Sequence, residues 1–344
     1  MDISAFDYQL PDELIAQEPL AERDASRMLI LDRSSQTWSD SGFTELPAQL
    51  NAGDVLVINN TRVFPARLRG RRIPFGGSVE LLLAREVEPN VWEALTRPAR
   101  RLRVGDQIEF AEGLLRARVA GSLNNGMRVI HFEAGENLDE LIDQIGEPPL
   151  PPYIDRAGGL ADDRHRYQTV YATERGAIAA PTAGFHFTPR VLEGVKAANV
   201  QVAEITLHVG YGTFEPVRVA DVSQHKVAAE RFSVSEATAQ TLNRARADGH
   251  RVIAVGTTTA RALESAASAT GEVTAQSGLA SLTVIPGYQF RTVDALLTNF
   301  HLPKSSLLML VSAFAGRELV LAAYRHAVEQ RYRFYSYGDC MLVF

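Results

Sequence analysis

Four short runs place histidine, threonine, asparagine and glycine in patterns suited to chemistry. In VGTTTARALES, 255–265, a β-branched strand stops at Gly256 and three threonines open a helix. Free backbone N–H groups and the helix dipole make such a terminus an anion site. The hydroxyls of Thr257 and Thr258 add donors. Arg261 and Glu264 follow one turn apart, a spacing that predicts an ion pair between them. In TLHVGYGTF, 206–214, a strand runs into a turn holding Gly210, Gly212 and Thr213. Its two glycines let a ligand approach the backbone closely. PTAGFHFT, 181–188, and TNFHLPKSSL, 298–307, each set a histidine among small, turn-forming residues. The first carries Thr182 and His186. The second carries Asn299, His301 and a helix start at Pro303 and Ser305. His186, His208 and His301 are expected to converge as base and acid, because an unperturbed imidazole titrates near pH ~6.5.

A second pattern is basic. NNTRVFPARLRGRR, 59–72, supplies Asn60, Arg62, Arg67 and Arg69, and RPARRLR, 97–103, adds Arg100, Arg101 and Arg103. Arg67 and Arg69 alternate with Leu68, which puts them on one strand face. The window 62–118 holds twelve arginines, no lysine and seven acids, for a net +5, while the rest of the chain carries −11. A basic module on an acidic body predicts a polyanionic partner, and the guanidinium fork suits phosphates and bases.

The elements that must position these residues fall into two groups. The chain has 344 residues, 46 % of them hydrophobic, which suits two globular domains. Strand-like pieces recur at 79–83, 91–95, 107–110, 114–119 and 127–132, separated by turn signals such as Asn124-Asn125-Gly126. Short strands at that spacing predict a small antiparallel β-barrel. Four prolines between 148 and 152 end it and read as a stiff crossing back. Beyond them, strands expected at 200–208, 251–255 and 281–285 alternate with helices at 235–248, 257–269, 305–314 and 318–331. That order is α/β. The expected architecture is a discontinuous α/β domain, residues 1–60 and 148–344, interrupted by an Arg-rich barrel at 61–147.

Several classes are set aside. The longest strongly apolar run, 307–315, has nine residues against the ~20 a membrane span needs. The N-terminal residues show neither the basic start nor the apolar stretch of a signal peptide. A single cysteine, Cys340, excludes a disulfide framework and a multi-cysteine zinc site, and fits a reducing cytoplasm. Asp162, Asp163 and His165 sit beside Arg164 and Arg166 and read as a solvated loop, so no metal is expected. No P-loop, G-x-S-x-G or H-E-x-x-H motif occurs.

Taken together, the motifs closely resemble the S-adenosylmethionine:tRNA ribosyltransferase-isomerases, a bacterial family of queuosine biosynthesis. The resemblance runs through FDYQLPDELIAQEPLAERDASRMLILDR at 6–33, NNTRVFPARL at 59–68, PPYI at 151–154 and RYQTVYA at 166–172. It continues through PTAGFHFT, HVGYGTFEPV, VGTTTARALES and TNFHLPKSSLLMLVSAFAG to FYSYGDCM at 334–341. Met28 and Cys340 depart from the leucine and small residue expected there. The resemblance implies two substrates: S-adenosylmethionine as ribosyl donor, and a tRNA carrying 7-aminomethyl-7-deazaguanine at the wobble position. The donor is consumed, and neither metal nor further cofactor is needed. On this reading His186, His208 and His301 are the base and acid, and Thr182 and Asn299 hold ribose or adenine. Gly210, Gly212 and Thr213 admit the donor to the backbone. Gly256, Thr257 and Thr258 bind the methionine carboxylate or a tRNA phosphate, with Arg261 in support. Asn60, Arg62, Arg67, Arg69, Arg100, Arg101 and Arg103 hold the anticodon arm, with Phe64 and Tyr153 as stacking platforms. A monomer is expected.

Three other readings stay open. An S-adenosylmethionine-dependent RNA methyltransferase would use the 206–214 turn, although His208 stands where an acid is usual and Phe214 where a last glycine is. A tRNA base-exchange enzyme of the zinc type lacks the cysteines. A noncatalytic RNA-binding protein would use the barrel alone.

Overall fold

The computed structural model describes residues 1–74, 76–123, 126–154, 162–214 and 216–344, with only the backbone of 213 and 214. The expectations at the Thr213 side chain, Phe214 and the Asn124-Asn125 turn lie outside the described residues. From the N-terminus come β1 (Arg27–Asp32), β2 (Thr37–Gly42), β3 (Val55–Asn59) and the short β4 (Thr61–Val63). Six strands follow: β5 (Arg67–Ile73), β6 (Ser78–Glu88), β7 (Val91–Arg97), β8 (Gln107–Phe110), β9 (Leu115–Ser122) and β10 (Arg128–Phe132). Then come α1 (Leu138–Ile145), α2 (Asp163–Arg166), β11 (Glu174–Ala177), α3 (Pro189–Ala197), β12 (Gln201–Leu207), β13 (Glu230–Val234) and α4 (Glu236–Ala247). The chain ends with β14 (Val252–Val255), α5 (Thr257–Ala266), β15 (Gln276–Ala280), β16 (Ala295–Asn299), α6 (Ser306–Ala315), α7 (Arg317–Glu329) and β17 (Cys340–Val343).

The body is a nine-stranded mixed sheet in the order β15-β13-β12-β3-β14-β16-β17-β1-β2. Its middle, β12-β3-β14-β16, is parallel, as an α/β reading requires. All five residues of β3 are buried, and their alternation feeds two cores. Val55 and Val57 pack with Leu242, Leu263 and Val320 from the helices on one face, whereas Leu56 and Ile58 pack with Phe187 and Val191 on the other. A strand buried on both faces reads as a continuous apolar run, which is why VLVI stands out in sequence.

The inserted module is a closed antiparallel barrel in the order β10-β7-β6-β5-β8-β9. Leu68, Leu81, Leu83, Ile108, Val119 and Phe132 fill it, and α1 adds Leu138 and Ile142. Gly146, just past α1, lies so close to the Pro65 carbonyl that a Cβ would sit 2.1 Å from that oxygen. A backbone bridge from Arg67 to Glu147 closes the entry and exit of the module. The sheet edge corrects one sequence expectation. Residues 281–285 are not a strand; Val284 is buried and Leu282 and Ile285 pack on the core as irregular chain. The strand is β15, polar and mostly exposed, and its pairing with β13 rather than its own apolarity makes it one. Among the described residues no single helix is long and apolar enough to cross a membrane.

Candidate active site

Three parallel strands end together, and each delivers a motif to the same place. Val209 follows β12, Gly256 follows β14, and Thr298 and Asn299 close β16; all four line one cleft. The outer carboxyl ends of parallel strands are where open α/β sheets bind ligands. Thr182, Thr257, Thr258, His301, Tyr335 and Ser336 complete much of the wall.

Helix α5 starts on that wall. Its cap is Gly256, at φ +93°, and no side chain caps it. A Cβ at Gly256 would meet nothing closer than 3.7 Å, so the backbone angle rather than space calls for glycine. The threonines are therefore not the cap. Thr259 turns its hydroxyl back to the Val255 carbonyl at 2.6 Å, while Thr257 and Thr258 face the cleft. The first N–H groups of a helix have no intrahelical partner, so this terminus presents donors and positive potential to the cleft.

His186 is 3 % exposed and sits in a chain of side chains. Ser26 Oγ lies 2.7 Å from its Nδ1, and Asn299 Nδ2 lies 3.3 Å from its Nε2. The orientation of Asn299 follows from its other partners. Its Nδ2 donates to the Tyr335 carbonyl at 3.1 Å, and its Oδ1 accepts from Thr182 Oγ1 at 3.1 Å. An N–H therefore faces Nε2, which must offer its lone pair, and the ring proton sits on Nδ1; this tautomer is assigned from the network. His301 Nε2 pairs with Thr298 Oγ1 at 2.8 Å. Burial holds both imidazoles down to about 3, helped at His186 by the guanidinium groups of Arg23 and Arg333. Both rings are neutral at pH 7. Neither stores an imidazolium proton, and the lone pair of His186 Nε2 is engaged by the Asn299 amide.

The three histidines do not all converge. His208 points away from the cleft that its neighbour Val209 lines. Its Nδ1 meets Thr61 Oγ1 at 2.8 Å, and its ring packs on Gly176. Strand alternation carried past Leu207 puts neighbours on opposite sides. The expected Arg261–Glu264 pair is also absent. Arg261 Nη1 instead donates to Glu230 Oε2 at 2.8 Å, with both side chains buried, and Glu230 Oε1 accepts the Gly210 N–H at 2.9 Å. Glu264 accepts the backbone N–H groups of Arg291, Thr292 and Val293 and the Tyr288 hydroxyl. Helical spacing brought the two residues near, but each found a better-placed partner on another segment. Gly212 packs against Ala228 beside that pair, lining a smaller hollow next to the cleft. The pair thus ties the 209–212 turn to α5.

The arginines of the two basic runs divide, and Arg62 is not on the barrel expected from residue 61: it lies on β4, which pairs in parallel with β11 outside the closed barrel. Arg69 pairs with Glu147 at 3.0 Å, and Arg67 donates to the Leu150 carbonyl at 3.1 Å. Arg62, Arg100, Arg101 and Arg103 are exposed, and their side chains have no carboxylate partner among the described residues. Asn60 is turned inward: its amide donates to Glu204 at 3.0 Å and accepts from Thr206 at 2.7 Å. Phe64 is buried against Trp92, and Tyr153 lies edge-on to Tyr335 with its hydroxyl on Ser336, so neither is an open platform. Sequence reasoning singled out neither Ser26 and Arg23 nor Tyr335 and Ser336, and it read Arg166 as part of a solvated loop, where the structure has α2 with Asp163 buried. Their types carry no motif chemistry, and only the fold brings them to His186 and Asn299.

An α/β body with an inserted barrel, and a polar crevice at its strand ends, defines the class. The family model for the queuosine biosynthesis protein matches residues 3–343. The chain belongs to that family, and it is a transferase. It is 37 % identical to the S-adenosylmethionine tRNA ribosyltransferase of Thermotoga maritima, whose crystal structure aligns over 99 % of this chain and 100 % of that one with a TM-score of 0.56.

Proposed function

We propose that this protein transfers and isomerises the ribosyl group of S-adenosylmethionine onto 7-aminomethyl-7-deazaguanine at the wobble position of tRNA. Adenine and methionine leave, and epoxyqueuosine remains on the tRNA. One observation carries the reading: four motifs far apart in sequence line a single cleft around the uncapped start of α5. The methionine carboxylate binds at that helix start, beside Thr257 and Thr258. Thr182 and Asn299 hold the ribose. The sulfonium acidifies the C5′ hydrogens. Loss of one to neutral His301, or to His186 once the Asn299 amide releases its Nε2, opens the ring and expels adenine. The aminomethyl nitrogen adds to the vinyl sulfonium, the C5′ carbanion closes on the C1′ aldehyde, and the alkoxide displaces methionine to form the epoxide. The sulfonium supplies the activation, so the scheme calls for no metal. The exposed arginines Arg62, Arg100, Arg101 and Arg103 bind tRNA phosphates.

The test uses purified protein, S-adenosylmethionine and tRNA bearing the aminomethyl-deazaguanine. Adenine release, with an epoxycyclopentanediol on the digested nucleoside, is the expected result. S-adenosylhomocysteine in place of adenine would mean methyl transfer, and tight tRNA binding with no turnover would mean a binding protein.

A further inference from the structure

Beside the cleft lies a second, shallower hollow in which the scheme above places neither substrate. Arg23, Ser26, Arg166, Phe185, His186 and Tyr337 line it, and it shares Ser336 with the cleft. Two guanidinium groups stand side by side there. Arg23 donates to the carbonyls of Phe185 and His165 at 3.3 and 3.1 Å, and Arg166 to those of Ala21 and Leu20. Neither meets a carboxylate among the described residues, and Arg166 Nε is buried with no acceptor. Burial and the neighbouring Arg166 both disfavour the charge on Arg23. Two partly desolvated like charges with an unfilled donor cost free energy unless a ligand supplies an acceptor. The Phe185 and Tyr337 rings stack on each other, 5.8 Å apart at 28° and both buried, and the Arg23 guanidinium lies over the Phe185 ring, 5.9 Å from its centroid.

We infer that this hollow receives the acceptor base, flipped out of the anticodon loop, with its O6 carbonyl on Arg23 and Arg166. The inference rests on the tRNA reading above and adds the place of its second substrate. Guanidinium donors match the O6 acceptor of a guanine-type base and oppose the N6 amino group of adenine. The shared Ser336, and the chain from His186 through Asn299 to Thr182, put the base next to the donor cleft, where its aminomethyl group must react.

The test compares two anticodon stem-loops, one with guanine and one with 2-aminopurine at the wobble position; 2-aminopurine lacks the O6 carbonyl and carries a bare N1 in place of N1–H. Wild-type protein is expected to bind the guanine loop about tenfold tighter. Arg166→Gln and Arg23→Gln should bind both loops alike, with S-adenosylmethionine affinity unchanged. Arg166→Lys, which keeps the charge and a donor for O6, should retain a preference for the guanine loop, so a folding defect in the glutamine variant does not decide the matter; a lysine variant that binds both loops alike would overturn the inference. Equal weakening of both loops would overturn the inference and make the arginines phosphate ligands. Lost S-adenosylmethionine binding with the loop preference intact would overturn it by giving the hollow to the donor's adenine. Loop discrimination is read without turnover, so it stands apart from failure of the proposed reaction.

Discussion

In the cleft, Asn299 is 2 % exposed, and both ends of its amide are engaged by Thr182, His186 and the Tyr335 carbonyl. In the loop 97–103 of the barrel, Arg100, Arg101 and Arg103 stand in solvent without a carboxylate partner among the described residues. A buried polar group is costly unless satisfied, so the cleft is built from interlocking partners whose positions depend on one another. An exposed cation costs little to keep free, so the barrel holds its charges singly and ready for screening counterions or phosphates. Removing a cleft group should therefore have a large, local effect, and removing a barrel group a small one that depends on salt.

The largest effect falls on the Glu230–Arg261 pair. Arg261→Met leaves a buried carboxylate unpaired and is expected to cost about 3–5 kcal/mol in denaturant unfolding at pH 7. Burial already raises Glu230, and losing the guanidinium raises it further. The folded variant then holds the proton more tightly than the unfolded chain. Its stability should recover as pH falls from neutral toward the ordinary carboxyl range, and a deficit that persists at low pH would contradict the pairing.

Next comes Asn299→Ala, which frees His186 Nε2 and the Thr182 hydroxyl together. Misplacing such groups should slow adenine release on the order of a hundredfold. A rate within threefold of wild type would remove Asn299 from the site. The triple substitution Arg100→Ala, Arg101→Ala and Arg103→Ala should weaken tRNA binding and lower the slope of log affinity against log salt by about 0.7–0.9 for each phosphate the protein no longer neutralises. An unchanged slope would break the contrast between the two regions. Smallest is Arg69→Ala: its pair with Glu147 is exposed on both sides, so unfolding should change by less than about 1 kcal/mol. A larger change would mean that the bridge between the module's two ends depends on this ion pair.

Much of the division between body and barrel was legible in the chain. The turn-separated runs of β7, β8 and β10 lie within a residue or two of their expected spans, because alternation and turn residues are local signals. The apolar VLVI at β3 and the Ser235-capped α4 were legible for the same reason. The edge strand β15 was not, because its pairing with β13 makes it a strand. In the site, Thr182, Asn299, His301, Gly256, Thr257 and Thr258 meet in the cleft as their motifs suggested. His208 faces away, and Asn60 serves the interior. Residue type marks which loop has chemical potential, whereas the side on which a chain leaves its strand decides where one side chain points.

The sequence by itself determined the class of fold, the Arg-rich insertion and the stretches that come to line the cleft, since these rest on composition, periodicity and turn chemistry within a few residues. Only the tertiary structure decided the partners: Glu230 for Arg261, Asn299 and Ser26 for His186, and Arg166 beside Arg23. Those pairings join segments up to 160 positions apart. Burial then changes what each group is. It turns two histidines into neutral acceptors and leaves a guanidinium with a donor to offer, and no local pattern of residues encodes how much water a side chain will lose.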